Sequence, residues 1–320
     1  MIFGIIGYGS IGQRHVRNLL NLGHKNIVLL RNIGSGNEYN FKEYTEIELF
    51  LDTQPDAVII SNPTSFHAPY LETLLINNFN VLVEKPVVSS KEELDSIKFK
   101  LKDYDGIGMT AYNMRFHPCV SEIQRILNDN ELGAAYSARF FVGQYLPDWR
   151  PKKNYSKSYS AIKEMGGGVT FDLIHEIDLA YFLIGKPESK INVEVEKLSN
   201  LNIQTEDLVE VLYRSKRNCI VSVHLDYICR EYQRYIEIIG ERCSLRADLY
   251  TNQITCSSSI VEINTKTFEE FSRNDMYLKM LSSFISCIEE KTVSPISLQE
   301  GLISNEIAID IRNRFYNGHA

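Results

Sequence analysis

The chain has 320 residues, of which 44% are hydrophobic and 23% are charged, and its net charge is −7. This is the composition of a globular protein with room for two domains, and the acidic balance excludes a surface that coats nucleic acid. No apolar stretch approaches the ~18 residues that span a bilayer, and the glycine-broken N-terminus lacks the cationic leader of a signal peptide. We therefore expect a cytoplasmic protein without nucleic-acid or membrane partners.

The cysteines indicate free thiols. None forms a C-x-x-C pair or has zinc-ligand spacing with a histidine, and unpaired thiols are typical of a reducing compartment. We therefore expect neither a disulfide framework nor a metal. The six are Cys119, Cys219, Cys229, Cys243, Cys256 and Cys287.

The N-terminal stretch predicts a strand, a glycine turn and a helix. An apolar run at residues 2–6 meets Gly7-Tyr8-Gly9-Ser10-Ile11-Gly12, and an amphipathic segment closed by Gly23 follows. Gly7 permits a tight turn, Gly9 lets backbone approach a pyrophosphate, and Gly12 lets the helix pack against the strand. A helix N-terminus adds free N–H groups and a positive dipole end. A purely structural turn is the alternative, but this context favours dinucleotide binding, and we assign all six residues 7–12 to the cofactor.

The end of the second predicted strand, residues 27–30, bears on which dinucleotide is bound. An NAD-binding unit usually has an acidic residue here that grips the ribose 2′-hydroxyl. This chain has Arg31 instead, with Asn32 and Ser35 nearby. A guanidinium suits a 2′-phosphate, so the sequence favours NADP over NAD. The alternative is an exposed arginine that tolerates either cofactor.

The next hundred residues continue the alternation of strands and helices. Strands are predicted at residues 56–60, 81–83 and 106–110, with helices at 45–51, 69–77 and one opened by a Ser90–Glu93 capping box. This spacing is typical of a doubly wound parallel sheet, so we predict an α/β Rossmann domain over residues 1–118. Ligands bind at the carboxyl ends of such strands. Those ends carry Ser61, Asn62, Pro63, His67, Glu84, Lys85, Asn113 and Arg115.

From residue 135 the pattern changes to alternating strands separated by hairpin turns, which predicts an α+β domain with a large, mostly antiparallel open sheet over residues 119–320. Within it we predict one glycine-started helix at residues 166–183. Two late helices, at 275–289 and 298–315, close the chain.

Two groups carry candidate chemistry. Lys85, between a strand end and Pro86, could act as an acid, a base or a hydrogen-bond donor to a substrate hydroxyl; the alternative is a solvated lysine. Asp172 and His175 are three residues apart on the predicted helix, so the carboxylate could hold one imidazole nitrogen and leave the other to accept a proton. The alternative is a capping aspartate and a packing histidine.

In order along the chain, the glycine turn, Ser-Asn-Pro-Thr-Ser-Phe-His at 61–67, Glu-Lys-Pro at 84–86 and the Gly-Gly-Gly…Asp…His segment resemble the glucose–fructose oxidoreductase, inositol dehydrogenase and rhizopine-catabolism (Gfo/Idh/MocA) family. The resemblance covers nearly the whole chain. It implies a Rossmann domain, an α/β domain whose open sheet mediates oligomerisation, a nicotinamide cofactor, and hydride transfer at a sugar or polyol carbinol.

Residue by residue, the resemblance implies that His175 is the catalytic histidine, Lys85 the lysine of the Glu-Lys-Pro motif, and Asp172 the acidic residue one turn earlier. Ser61, Asn62, Pro63 and His67 would line the nicotinamide half of the cofactor. The family usually spaces Asp and His by four residues, so the spacing of three leaves open whether Asp172 orients His175 or contacts substrate. The spacing resembles a branch with D-L-x-H-E-x-D, matched here by residues 172–178, whose members often belong to pathways for bacterial surface sugars.

The same branch shares the segments at residues 143–151 and 158–161. Trp149, the only tryptophan, could stack on a sugar face, and Arg150 could clamp a carboxylate or phosphate. We add Tyr159, Asn113 and Arg115 as candidate contacts to substrate or nicotinamide. The alternative is a loop that packs at a domain or subunit interface.

These features predict an NAD(P)-dependent oxidoreductase acting on a sugar, possibly nucleotide-linked, and assembled as a homodimer or homotetramer through the C-terminal sheet. An NAD-dependent glycosidase, a catalytically idle cofactor-binding regulator and a purely structural protein are the alternatives. The glycine turn disfavours the last. Lys85 and His175 together disfavour the regulator, since a sensor needs neither.

Overall fold

The structure, a computed structural model, describes residues 1–32, 36–149, 151–152, 154–258 and 264–318. It divides into two compact units, Met1–Asn113 with Asn274–Glu306, and Met114–Arg273 with Ile307–Ala320. A division into autonomously folding domains at residue 118 stays a prediction. None of the helices in the described ranges combines the length and the apolar character that crossing a lipid bilayer requires.

The first unit is built on a six-stranded parallel sheet with strand order β3-β2-β1-β4-β5-β6. The strands are β1 (Phe3–Ile6), β2 (Ile27–Leu30), β3 (Lys42–Tyr44), β4 (Ala57–Ile60), β5 (Asn80–Val83) and β6 (Gly108–Thr110). The side chains of β1 and β4 are buried throughout, as parallel strands covered on both faces require. Because Ile6 of β1 pairs with Ile60 of β4, the turn at Gly7 and the loop at Ser61 leave the sheet side by side. The predicted doubly wound sheet is confirmed.

Four helices connect these strands: α1 (Ser10–Asn21), α2 (Ile47–Leu51), α3 (His67–Ile76) and α4 (Lys91–Lys100). The predicted capping box at the start of α4 is confirmed, because the Glu93 N–H donates to Ser90 Oγ at 3.2 Å and Glu93 Oε2 accepts from the Ser90 N–H at 3.1 Å. Strand β3 was not predicted. Its Lys-Glu-Tyr sequence is polar because it forms the sheet edge, where backbone pairing with β2 replaces burial.

The second unit contains an eight-stranded sheet with order β14-β13-β12-β11-β7-β10-β9-β8. Strands β7 and β10 pair in parallel, and the other described pairs are antiparallel, so the predicted architecture is confirmed. The polar strands β13 and β14 were not predicted. The strands are β7 (Ala135–Gly143), β8 (Asn192–Glu196), β9 (Leu208–Arg214), β10 (Ile220–Asp226), β11 (Gln233–Gly240), β12 (Ser244–Asp248), β13 (Gln253–Ser257) and β14 (Asn264–Thr267).

The helices of the second half are α5 (Pro118–Asn128), α6 (Val169–Asp172), α7 (His175–Ile184), α8 (Arg273–Glu290) and α9 (Leu298–Gly318). Short 3₁₀ segments occur at Thr64–Phe66, Leu101–Asp103, Asn113–Phe116, Leu146–Trp149, Tyr155–Lys157, Tyr159–Ala161 and Lys163–Met165. In the second unit, α7 packs on the sheet face that carries Phe140, Val142 and Ile236.

The single helix predicted at residues 166–183 is wrong. The helix begins at Val169, and a break at Leu173 and Ile174 separates α6 from α7. Leu173 leaves helical geometry at φ −104°, ψ 25°. The apolar pattern does not reveal this break, because Leu173 and Ile174 are both buried. Asp172 therefore ends one helix and His175 begins the next.

Candidate active site

The glycine turn of the first unit leaves open space above the start of α1. Gly7 has φ +88°, and a Cβ on Gly12 would lie 2.1 Å from the Gly7 carbonyl oxygen, so both positions require glycine. Gly9 is the N-cap of α1, and apart from its chain neighbours and its own helix no atom of the described residues lies within 4 Å of the position a Cβ would take there. Among the described residues, no side chain caps the helix.

This cradle fits a dinucleotide. The first N–H groups of α1 point into the space above Gly9, and the dipole end is positive, which suits a pyrophosphate. Ser10 is exposed, while Tyr8 and Ile11 are half-buried beside the turn. The residues that would hold the phosphates are therefore backbone groups of residues 7–12.

The loop after β4 braces the turn. Ser61 Oγ donates to the Gly7 carbonyl at 2.8 Å, which fixes the turn from the neighbouring strand. Pro63 precedes the 3₁₀ segment, and the Asn62 side chain donates to the Phe66 carbonyl at 3.4 Å. His67 is buried, with one ring nitrogen 2.8 Å from the Asn62 carbonyl oxygen and the other 2.8 Å from that of Pro86. Burial lowers the pKa of His67. Its ring thus ties the Ser61 loop to the segment that carries Lys85.

Lys85 follows β5 and is half-buried. Its neighbour Glu84 places Oε1 2.7 Å from Nε2 of His15, a buried residue of α1. The segment that carries Lys85 is therefore fixed on one side to the helix of the glycine turn and on the other to His67. Asn113, also predicted here, is buried at the start of a 3₁₀ segment.

A cavity of about 340 Å³ lies beside the end of β2. Arg31 lines it, and the guanidinium carbon of Arg31 lies 5.5 Å from the centroid of the Tyr8 ring. The same guanidinium donates to Glu43 Oε1 at 3.3 Å. Arg17 also lines the cavity, as does the carboxylate-bearing Glu38. Asn32 is exposed. Ser35, the remaining predicted residue, lies outside the described residues.

In the second unit, Asp172, Tyr227 and Trp149 come together. The Tyr227 hydroxyl donates to Asp172 Oδ2 at 2.6 Å, and the Trp149 ring meets the Tyr227 ring edge-on with centroids 5.3 Å apart. Burial, and after it the Asp172 carboxylate, raises the pKa of Tyr227 well above its ordinary value. Tyr227 therefore stays a hydrogen-bond donor at neutral pH. His175, the first residue of α7, is 8% exposed.

The other predicted substrate contacts of this unit are also held by protein groups. Tyr159 donates its hydroxyl to the Gly166 carbonyl at 2.8 Å. Arg115 is 7% exposed, and its Nε donates to Asp178 Oδ2 at 2.8 Å. Trp149 donates Nε1–H to the Gln144 carbonyl at 3.2 Å. Arg150 lies outside the described residues.

Three residues of the two units were not predicted from the sequence. Tyr227 directly follows β10, so the strand-end rule could have found it. Arg234 occupies the phase of β11 shared with Ile236 and Ile238, and an arginine in an apolar phase signals a buried carboxylate partner. Arg17 lies two turns into α1, where nothing in the sequence distinguishes it from a solvated helix residue. In the part of the chain that the structure describes, no three His, Cys, Asp or Glu side chains cluster to hold a metal ion.

A parallel sheet with the order 3-2-1-4-5-6, a glycine turn and an uncapped helix N-terminus define a Rossmann dinucleotide-binding unit, here followed by a unit with a large open sheet. The chain matches the model of the oxidoreductase family, NAD-binding Rossmann fold, over residues 1–112, and that of the GFO/IDH/MocA C-terminal domain over residues 120–246. The chain belongs to the Gfo/Idh/MocA family of NAD-binding oxidoreductases.

Its similarity to the following proteins is distant but spans more than nine-tenths of their length. It is 21% identical to the uncharacterized oxidoreductase YrbE of Bacillus subtilis, over 96% of this chain and 92% of that one. It is 20% identical to glucose-6-phosphate 3-dehydrogenase of the same organism, over 95% and 93%. A levoglucosan dehydrogenase complex with NADH and levoglucosan has the same fold, with a TM-score of 0.88, 17% identity, and coverage of 100% and 98%. UDP-N-acetylglucosamine 3-dehydrogenase GnnA from Acidithiobacillus ferrooxidans also has this fold. Its TM-score is 0.80 and its identity 17%, with coverage of 99% of this chain and 98% of that one.

Proposed function

We propose that this protein exchanges a hydride between a nicotinamide cofactor and a carbinol or ketone carbon of a sugar, sugar derivative or polyol. The observation that carries the proposal is the open, uncapped cradle above Gly9, in a family of NAD-binding oxidoreductases. The names of its relatives support the substrate class, because they include a glucose-6-phosphate 3-dehydrogenase and a myo-inositol 2-dehydrogenase.

His175 is proposed as the general acid and base for the reacting oxygen. Imidazole suits this role because its ordinary pKa lies near neutrality. Lys85 is proposed to donate to the same oxygen or to relay its proton, and Asp172 to orient His175. Asp172 Oδ2 accepts the hydrogen bond of the Tyr227 hydroxyl, which holds the Asp172 carboxyl group in place. When bound, the nicotinamide ring supplies or accepts the hydride.

The proposed roles predict that His175→Ala and Lys85→Ala each lower turnover by about 10²-fold or more and leave cofactor affinity unchanged. Steady-state kinetics combined with cofactor titration measures both quantities. Full turnover in either variant would remove that residue from the mechanism.

For the cofactor we propose NADP ahead of NAD. Two guanidinium groups, of Arg17 and Arg31, line the cavity beside β2, and a 2′-phosphate is the dinucleotide group that would use them. The Glu43 ion pair of Arg31 and the presence of Glu38 favour NAD, as do the neighbouring structures that contain NADH. Titration of both cofactors decides this. We expect Arg31→Ala and Arg17→Ala to weaken NADP alone, and tighter binding of NAD by the native chain would overturn the preference.

For the substrate we propose contacts from Trp149, Arg150, Tyr159 and Arg115, with the aromatic rings stacking on a sugar face. A nucleotide-linked sugar is included because a UDP-N-acetylglucosamine 3-dehydrogenase shares the fold. A panel of free, phosphorylated and nucleotide-linked sugars, tested with both oxidised and reduced cofactors, identifies substrate and direction. Stoichiometric reduction of free cofactor supports a dehydrogenase, whereas cleavage of a glycoside without net reduction would identify the glycosidase. Binding without any turnover would identify the regulator.

We also propose a homodimer or homotetramer formed through the second sheet. On its solvent face, Phe141 stacks between His224 and Tyr235, with ring centroids 4.3 and 4.9 Å apart. The apolar side chains of Leu212 and Ile239 on the same sheet are 47% and 43% exposed. Light scattering after size exclusion tests this, and Phe141→Glu is expected to shift the mass to that of one chain. A native mass of one chain would overturn the proposed assembly.

Six unpaired thiols support a cytoplasmic location.

A further inference from the structure

Two acidic residues beside His175 have no role in the proposed chemistry. Glu176 and Asp178 belong to the first turn of α7, and their side chains are 2% and 0% exposed. A buried carboxylate is costly unless it is paired and hydrogen-bonded. The roles of Glu176 and Asp178 can therefore be inferred from the side chains that pair with them.

Glu176 is held by Arg234 in a two-pronged ion pair. Arg234 Nε donates to Glu176 Oε1 at 2.6 Å and Nη2 donates to Oε2 at 2.8 Å. Burial lowers the pKa of Arg234, but the Glu176 carboxylate and the Tyr232 side chain together outweigh burial and raise that pKa, so Arg234 stays a cation. Arg234 lies on the sheet face that carries Ile236 and Ile238. Its ion pair with Glu176 therefore joins α7 to β11.

Asp178 is held by Arg115 in the same way. Arg115 Nε donates to Oδ2 at 2.8 Å and Nη2 donates to Oδ1 at 2.7 Å. The Arg115 guanidinium also lies 4.4 Å from the centroid of the Phe182 ring, one turn further along α7. The first turn of α7 is therefore anchored at two points, to β11 and to the 3₁₀ segment that precedes α5.

Buried ion pairs contribute little net stability, because desolvation offsets their attraction. Two-pronged pairs do fix direction, since both hydrogen bonds form only at one orientation of the carboxylate. The position of His175 needs such fixing. It follows the break at Leu173 and Ile174, so continuity with α6 does not determine how α7 is rotated about its axis.

We propose that Glu176–Arg234 and Asp178–Arg115 are positioning pairs that set the rotation of α7 and so aim the His175 ring, an inference that rests on the proposed role of His175. Glu176 and Asp178 take no part in proton transfer. Arg115, which is also proposed as a substrate contact, acts on His175 through Asp178.

The decisive variant replaces one pair by apolar side chains of similar size, Glu176→Leu with Arg234→Met. Such a replacement leaves no unpaired buried charge and is often neutral for stability. We expect a melting temperature near the native one, unchanged cofactor affinity and substrate KM, and a kcat lowered at least about tenfold, because small misplacements of a catalytic group are costly. Native kcat at native stability would overturn the proposal.

Arg234→Lys is the second variant, since it keeps the positive charge and loses the two-pronged hydrogen bonding of the guanidinium. Reduced kcat at unchanged KM supports a directional role, and full activity contradicts it. Glu122→Leu with Arg125→Met is the matched control. That pair, 3.0 Å apart on the surface of α5, is expected to leave kcat unchanged.

A readout that does not need turnover separates this inference from the proposed function. In nitrogen-15 spectra of labelled histidine, assigned with His175→Gln, the His175 ring of the native protein should give one set of signals. The apolar pair should shift or split that set, while the surface control should not. Unchanged ring signals would overturn the positioning role. If no variant, native included, turned over any sugar while the ring signals still changed, the proposed function would fail and the positioning role would stand.

Discussion

Two glycine turns precede the helices that carry the proposed chemistry, and they are built in opposite ways. The turn at residues 7–12 leaves empty space above Gly9, whereas the turn at residues 166–168 is filled by protein. A Cβ on Gly168 would lie 2.5 Å from Oε1 of Glu206, and a Cβ on Gly167 would lie 2.2 Å from the Tyr159 carbonyl oxygen. Glycine thus admits a ligand in the first turn and admits close packing in the second.

Glu206 takes the place in the second turn that a ligand would take in the first. Its Oε1 accepts from the Thr170 N–H at 3.2 Å at the start of α6, and its carbonyl accepts from the Val169 N–H at 3.3 Å. The Arg312 guanidinium donates to the Gly167 carbonyl at 2.9 Å. A glycine motif therefore indicates a cofactor only where the space it opens stays unfilled.

The largest effect is expected from Gly12→Ala, which should damage both folding and cofactor binding. The new methyl group would meet the Gly7 carbonyl oxygen at 2.1 Å, so backbone must move, at a cost of about 3 kcal/mol or more. Urea unfolding and cofactor titration measure the two losses. Native stability in this variant would contradict the packing described for the turn.

Gly168→Ala should lower the free energy of unfolding by about 1–3 kcal/mol and leave cofactor affinity intact. The reason is its φ of +122° together with the contact to Glu206. The same two measurements apply. Weakened cofactor binding without loss of stability would show that the second turn, too, serves a ligand.

Gly9→Ala should have the opposite effects, with stability unchanged and cofactor binding weakened. In the described part of the chain, no atom from outside this turn and its helix opposes the new methyl group, so stability should stay native. The methyl group occupies the space proposed for the pyrophosphate, and cofactor affinity should fall at least about tenfold, or about 1.4 kcal/mol. Unchanged affinity would remove the cradle from the binding site.

Glu206→Gln gives the smallest effect, and it depends on pH. Burial raises the pKa of Glu206 above its ordinary value of 4.5. The folded protein therefore holds a proton that the unfolded chain releases, and native stability falls as pH rises from 4.5 through the raised pKa, by up to about 1.4 kcal/mol per pH unit. Relative to the native chain, Glu206→Gln should gain stability over that window. Urea unfolding of both proteins at a series of pH values from about 4 to 8 measures how the free energy of unfolding depends on pH. A difference between the two proteins that stays constant with pH would contradict a raised pKa of Glu206.

The same contrast explains what the sequence could predict. Strand β2 matches its prediction because four apolar residues stand between polar turns. The edge strands β3 and β14 were not predicted, because their stability comes from backbone pairing and their side chains are mostly polar, with none of them buried. In the site, the first turn could be predicted because its requirements are local. The break before His175 and the Glu176–Arg234 pair could not, since they depend on residues 58 positions apart that meet only in the folded sheet.

The most direct test of the central claim is a single-turnover measurement of hydride transfer in the native enzyme and in His175→Gln, both saturated with cofactor. Once the sugar panel has identified a substrate, we expect a rapid change in nicotinamide absorbance in the native enzyme. In His175→Gln the change should be slowed by about 10²-fold or more at unchanged cofactor occupancy. Equal rates in the two proteins, or a native enzyme that holds cofactor and transfers no hydride to or from any sugar, would contradict the account.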